Sequence, residues 1–567
     1  MLVEKAFAKL HGSYEAIRGG YSYNAMMDMT GAPAKRISFK KLSSDDFEQL
    51  WKDMVAYDLQ NYVMTASTPG EDTFTEMGIL PRKDGNGLVP GHAYSLIAAK
   101  ESKEGHRLVQ LRNPWGRLEW NGDWSDTSPL WTPAMMEEMG RVEADDMDTN
   151  DGLFWMSFDD MMKMFDAFSV CMVRREGLHP NPWIERRSCF HYKLDQDSGA
   201  TSAPAFLLEV QEDGEFIVGM HQMDERCHGA KPYIDIGVTV MKEDDKKAGK
   251  YTLVATSDGT HPLERQNFSE TIELSVGKYL VCPTTTGTKL KQQLAEEAGK
   301  KSAAAVIATE DAAGNKVLTQ AVLQTHSQIF DRFDRDNDGY LSQADMSAYT
   351  TVVLGEELVE EAFQLLMKKF ESGEDAPGLS KVAFLNAVQA SFVAGGADEG
   401  KMRSGLSKLG YDASLCVESG RSAVLSIHGT TPYTLETKEF DEDVYEQAAV
   451  LPIIKNGKVD THSQGKIKLY KFSAGSYGRS WVAENAHDTP VRFELDVTGS
   501  HNLVSHRGDF KFEQIIWPGE AKVMHHLMLD THSTWWEREH TKYNWLSENE
   551  KKAALQKQKE ENEKKAA

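Results

Sequence analysis

The stretch Gly87–Asp126, GLVPGHAYSLIAAKESKEGHRLVQLRNPWGRLEWNGDWSD, decides how the first third of this chain reads. Ala93–Lys100 and Arg107–Arg112 are strand-like runs, and Glu101–Gly105 between them is polar and ends in glycine, which predicts a hairpin. The midpoint of His92 and Asn113 falls between Ser102 and Lys103, inside that turn. Symmetric antiparallel pairing therefore sets the two residues opposite each other, with Cβ atoms roughly 4.5–5.5 Å apart. A neutral asparagine beside an imidazole fixes its tautomer and orientation without adding charge. That is the third member of a Cys–His–Asn arrangement, in which histidine activates a thiolate and then protonates the leaving group. A His–Asn pair across a hairpin is equally an ordinary satisfied polar contact, and spacing alone does not choose.

Outward from this hairpin the chain changes texture several times, which predicts a multidomain α+β protein. Residues 1–176 mix helix and strand patterns and are rich in Trp and Met. Over residues 178–290, runs such as FLLEVQEDGEFIVGMHQ predict an antiparallel β-sandwich. Residues 291–316 read as a linker and 317–398 as helical. Short strands return over 415–545 and predict a second sandwich. In it, Val491, Phe493, Leu495 and Val497 share one face and Arg492, Glu494 and Asp496 the other. The tail, 546–567, is highly charged.

The chain has 567 residues and a formal net charge of −24. Such an acidic surface argues against nucleic acid as a partner and allows membrane contact only through a divalent cation. The 5 cysteines are an odd number with no disulfide or zinc spacing, which points to a reducing compartment. No run is long and apolar enough to span a bilayer, and the N-terminus reads as an amphipathic helix, so a cytoplasmic protein is expected.

A calcium motif stands in the helical region. In Phe333–Asp345, FDRDNDGYLSQAD, residues Asp334, Asp336, Asp338 and Gly339 fit positions 1, 3, 5 and 6 of an EF-hand loop. Tyr340 gives its carbonyl, Ser342 holds position 9 and Asp345 position 12, where a bidentate Glu is usual. Val322, Ile329, Phe330 and Phe333 form the apolar stripe of the entering helix. A second helix–loop–helix outline follows. Its loop carries Pro377 and Ala383 where a coordinating hand needs Gly and Glu, so it is expected to be a structural mate.

GSYEAIRGG, GLVPGHAYSL, QLRNPWGRLEWNGDWSD and DGLFWMSFDDM together resemble the second half of the calpain protease core, a papain-like cysteine endopeptidase fold. The resemblance covers roughly residues 1–175. It implies that His92 is the catalytic histidine, Asn113 its orienting partner and Trp115 the indole that shields their hydrogen bond. It also implies protein substrates, calcium as cofactor, and a core calcium ion held by Glu119, Asp126 and Asp151. Leu153 departs from that pattern, because calpains commonly carry an acidic residue there. Residues 178–290 resemble the C2-like sandwich that follows the core, and Glu243, Asp244 and Asp245 are candidates for its acidic loop. Calpains place the nucleophile in a GxCW-like segment upstream of the histidine, and Cys171, Cys189, Cys227, Cys282 and Cys416 all follow His92. Two readings stay open: a calcium-dependent endopeptidase whose Cys-bearing lobe belongs to a longer gene product, and an inactive calcium-binding interaction protein.

Overall fold

The computed structural model describes residues 2–566 except 71–84, 142–150, 196–200, 228–229, 245, 258–262, 299–303, 312–313, 374–375, 417–419, 474–477 and 531–536. Asp245 of the candidate acidic loop lies outside the described residues. The chain forms two compact units, Met1–Trp183 and Ile184–Ala567.

In the first unit the strands are β1 (Ala34–Ser38), β2 (Val63–Ser67), β3 (Ala93–Glu101), β4 (Arg107–Arg112), β5 (Leu153–Ser157) and β6 (Ala167–Cys171). They pair antiparallel in the order β1-β6-β2-β3-β4-β5. Helix Ser44–Leu59 starts on a capping box between Ser43 and Asp46 and buries Leu50, Trp51 and Met54. The β3–β4 hairpin forms, with its turn at Ser102–His106, closed by Ser102 N–H donating to the His106 carbonyl at 2.9 Å. Glu101 pairs with Arg107 and Ala98 with Gln110, but Leu96 pairs with Leu111 and Ser95 with Arg112. Ile97 is the extra residue of a β-bulge.

The second unit begins with β7 (Ile184–Leu194), β8 (Thr201–Ser202), β9 (Ala205–Val210), β10 (Gly214–His221), β11 (Gly237–Asp244), β12 (Lys247–Thr256), β13 (Gln266–Phe268), β14 (Ile272–Leu274) and β15 (Gly277–Thr284). A helical region follows, with two short ladders: β16 (Ala308–Glu310) with β17 (Lys316–Leu318), and β18 (Tyr340–Leu341) with β19 (Leu379–Ser380). Then come β20 (Gly420–Gly429) and β21 (Tyr433–Lys438). These two strands do not start a second sandwich, as the sequence reading of 415–545 had it. β20 lies between β10 and β7 in one sheet, and β21 pairs with β9 at the edge of the other. The helical region is thus an insertion within the first sandwich. The physical reason is burial: Ala423, Leu425, Ile427, Tyr433 and Leu435 complete the core of that sandwich with Phe206, Leu208, Phe216 and Val218.

Helix Glu442–Asn456 bridges to the last domain. Ala448 packs on Met241 and Cys282 of the first sandwich, and Val450 and Ile453 pack on Tyr470 and Val482 of the next. That next sandwich comprises β22 (Lys458–His462), β23 (Ile467–Ser473), β24 (Gly478–Asn485), β25 (Val491–Asp496), β26 (Leu503–Ser505), β27 (Lys511–Ile516), β28 (Ala521–Leu529) and β29 (His540–Trp545). Its sheets run β22-β23-β24-β28-β26 and β27-β25-β29. Val491, Phe493, Leu495 and Val497 are buried in it, as their alternation predicts.

Candidate functional site

His92 immediately precedes β3 and Asn113 immediately follows β4. His92 Nε2 lies 3.0 Å from Asn113 Oδ1. The amide is oriented by its own surroundings: Asn113 Nδ2 donates to the carbonyls of Arg117 at 2.7 Å and Leu118 at 3.1 Å. Leu118 reaches this position in the left-handed region, with φ 66°, a conformation that costs a non-glycine residue roughly 1–3 kcal/mol. Oδ1, the acceptor end, therefore faces His92 and also receives the Trp115 N–H at 3.1 Å. An acceptor opposite Nε2 selects the Nε2–H tautomer and leaves the lone pair on Nδ1. Asn113 is fully buried and His92 half-buried. The Trp115 indole lies beside the imidazole, with ring centroids 4.5 Å apart, and Tyr94 packs edge-on at 5.2 Å.

Two supports were not legible in the sequence. Thr68 Oγ1 accepts the His92 N–H at 3.0 Å and donates to the Val89 carbonyl at 2.6 Å. Gly152 lies beneath Asn113, and its carbonyl accepts the Asn113 N–H at 2.8 Å. With φ 86°, a Cβ on Gly152 would meet the Asn113 carbonyl oxygen at 2.6 Å.

Within the first unit, Cys171 stands apart from this pair. Cys171, the one cysteine of the first unit, pairs with Val63 on β2, while Ala167 of the same strand pairs with Ser67, which in turn pairs with Ala93. Cys171 is therefore roughly 16 Å along the strands and about 10 Å across them from His92. Burial pushes its thiol up to about 11. Cys189 and Cys282 are buried in the second unit, with thiols pushed up to about 12 by burial.

The second cluster lies in the helical insertion. Asp334, Asp336 and Asp338 bring carboxylate oxygens within 4.8 Å of one another. Helix Gln320–Phe333 feeds this loop and buries Val322, Ile329, Phe330 and Phe333. Asp334 is buried, and desolvation is the largest cause that raises its carboxyl to about 7; the N–H of Gly339 at 3.0 Å opposes it, and Asp338 and Asp336 add to it. Ser342 and Asp345 close the loop at the start of the next helix. They cap helix Gln343–Leu354 reciprocally, and Asp345 Oδ2 accepts from Ser342 Oγ at 2.6 Å. Tyr340 opens β18, which pairs with β19 of the second helix–loop–helix. The loop is also tied to the host sandwich: Asn337 Nδ2 donates to the Leu435 carbonyl at 3.2 Å, Thr437 N–H to the Arg335 carbonyl at 2.9 Å, and Arg186 to the Asn337 carbonyl.

Glu119, Asp126 and Asp151 lie near Gly152. Glu119 Oε1 accepts the Gly152 N–H at 2.6 Å, and Asp151 Oδ1 accepts the Leu153 N–H at 2.7 Å. In the last sandwich His525 and His526 both pack against the His506 ring, with centroids 5.5 and 5.0 Å away. Among the described residues they belong to no three-ligand group. No helix among the described residues is long and apolar enough to cross a membrane.

Residues 1–172 match the family model described as calpain family cysteine protease, and residues 452–549 match that described as Calpain-D-like, C-terminal domain. The calpain-type cysteine protease DEK1 of Arabidopsis thaliana is 38% identical over 177 residues, 30% of this chain and 8% of that one. Calpain-9 of Homo sapiens is 30% identical over 314 residues, 50% of this chain and 44% of that one. Calpain-5 of Mus musculus is 27% identical over 320 residues, 50% and 49% respectively. The chain thus matches less than half the length of each of these relatives. The paired His92 and Asn113 lie within the first match and the last sandwich within the second, so residues 1–172 are similar to the protease domain of calpain family cysteine proteases and residues 452–549 to the Calpain-D-like C-terminal domain.

Proposed function

We propose that this chain contributes the general acid–base half of a calcium-regulated cysteine endopeptidase acting on protein substrates, with calcium taken up at the Asp334 loop. The observation that carries the reading is the 3.0 Å contact between His92 Nε2 and Asn113 Oδ1. With Nε2 committed to Asn113, Nδ1 is the base. It takes the proton of a thiol, the thiolate attacks the scissile carbonyl, and the imidazolium returns the proton to the leaving amine. Asn113 holds the ring in this tautomer through both states, and Trp115 beside the ring limits water, which strengthens the bond. The geometry of Cys171 supports a thiol presented by a separate segment or chain.

For calcium, the residues fit at the insertion: three carboxylates crowd one loop, and the desolvation of Asp334, with the added repulsion of Asp338 and Asp336, is what a divalent ion relieves. The EF-hand reading assigns Asp334, Asp336, Asp338, the Tyr340 carbonyl, Ser342 and Asp345 to the ion, with the second hand as structural mate. The host sandwich is read as the C2-like domain.

The test is hydrolysis of casein or a fluorogenic peptide. The purified chain alone gives none, with or without calcium, and activity appears when a Cys-bearing calpain lobe is added. Calcium-stimulated cleavage by the chain alone, abolished by His92→Ala, overturns this. The remote, buried Cys171 favours a second reading, a calcium-binding interaction protein without catalysis; persistent inactivity with the added lobe, together with calcium binding, selects it.

A further inference from the structure

The calpain resemblance assigns a calcium ion to Glu119, Asp126 and Asp151, and the residues present do not fit one. Leu153 supplies no carboxylate. The decisive residue is Arg141, which no motif singled out. Helix Pro133–Met139 ends on Gly140 in the left-handed region, φ 74°, and the turn directs Arg141 inward. Its side chain is only 3% exposed and that of its partner Asp126 10%. Arg141 Nη2 donates to the Asp126 carbonyl at 2.7 Å and to Asp126 Oδ1 at 3.1 Å. The guanidinium carbon lies 4.6 Å from the Trp131 ring centroid, and the Trp131 indole N–H in turn holds the Ser125 carbonyl at 3.0 Å.

We infer that the Arg141 guanidinium is a built-in cation that takes the place of calcium in this protease-type unit, so that the loop carrying Glu119 and Asp126 is assembled without the metal. The chemistry is that of a buried ion pair. A guanidinium is always charged, is less strongly hydrated than an ammonium and bonds carboxylate and carbonyl together. Calcium needs six to eight oxygens and full access to the carboxylates. It would have to displace a cation already desolvated against Trp131. The pair reaches the candidate catalytic residues through the backbone. Glu119, on the same loop as Asp126, receives the Gly152 N–H, and Gly152 receives the Asn113 N–H. An internal cation at Asp126 therefore braces the floor under Asn113 at any calcium concentration. Calcium control, where it operates, acts through the second unit.

The experiment uses the full chain with Asp334→Ala, which silences the insertion loop, and follows thermal unfolding of the first unit and calcium binding by calorimetry. With Arg141 intact, calcium produces no heat and no shift in Tm. Arg141→Gln lowers Tm by roughly 10 °C in the absence of calcium, because it strands a buried carboxylate, and calcium restores part of the loss. Arg141→Lys keeps a charge at the site and remains silent to calcium. A calcium-dependent rise in Tm with Arg141 intact, removed by Glu119→Gln, overturns the inference. So does an Arg141→Gln variant with the Tm and calcium silence of Arg141→Lys. Failure of the Asp334 loop to bind calcium in the wild type leaves these comparisons unchanged and concerns that loop alone.

Discussion

Asn113 bonds to His92 without facing it across the hairpin. Continuing the observed register by one step sets Asn113 against Tyr94, and His92 is the diagonal neighbour on the same face. The bulge at Ile97 makes this possible. Without it, the register of the turn-proximal half would set Asn113 against Ser95, and the alternation of strand side chains would place it on the face away from His92. Deleting Ile97 should therefore break the contact. Long-range proton–nitrogen spectra of the histidines check this: the wild type shows the Nε2–H tautomer at His92, and the deletion variant a mixture. Ile97→Thr, which changes only a half-exposed side chain, should behave as wild type.

Gly152→Ala should destabilise the first unit by about 2–3 kcal/mol, since it imposes both an unfavourable left-handed backbone and a backbone clash. The added Cβ would press on the carbonyl of Asn113 at 2.6 Å. Denaturant unfolding measures the loss. Gly105→Ala, in open space on the hairpin turn though at φ 86°, should cost less.

The hairpin, its two strands, the Asp334 loop and the alternation of Val491–Val497 were legible because each is a local pattern. The contact between His92 and Asn113 was legible, but for a register that does not occur, since nothing in Ala93–Lys100 marks Ile97 as a bulge. The membership of β20 and β21 was not legible: Ala423, Leu425 and Ile427 pack against strands some two hundred residues earlier, and alternation names a buried face without naming its partner. Arg141 was hidden for a similar reason. A basic residue after a helix ordinarily points to water, and only the fold sets it on Asp126. The roles of Ser342 and Asp345 also depend on competition, because both suit a helix cap as well as a metal loop.

In the calcium-free protein the contribution of Asp334 and Glu119 to stability should fall as pH rises from about 4 to 8. Asp334 and Glu119 both have carboxyls raised to about 7, chiefly by burial, from ordinary values of 3.8 and 4.5. Over this interval these two groups hold protons in the folded state that they have released in the unfolded state, so their contribution to the slope of stability with pH is negative. The contribution is full below the unfolded values and lost as pH passes about 7. Calcium binding at the Asp334 loop has the opposite sign, because the ion takes the ionised form, and should strengthen through the same range. Thermal unfolding at several pH values, with and without calcium, tests both signs; Asp334→Asn should flatten the first.

Asp345→Glu should tighten calcium binding. A glutamate at this position still serves the cap with Ser342, and its longer side chain reaches a loop ion with both oxygens. Calorimetry on the full chain should show one site, stronger in Asp345→Glu and lost in Asp334→Ala.

The most direct measurement is the rate of peptide hydrolysis by the chain combined with a Cys-bearing calpain lobe, compared among wild type, Asn113→Ala and His92→Ala. Removing the base should lower the rate by roughly 10²–10⁴-fold, and Asn113→Ala, which only frees the imidazole to turn, should lie between. A His92→Ala complex as fast as wild type, or an Asn113→Ala complex slower than His92→Ala, would contradict the assignment of His92 as base and Asn113 as its orienting partner.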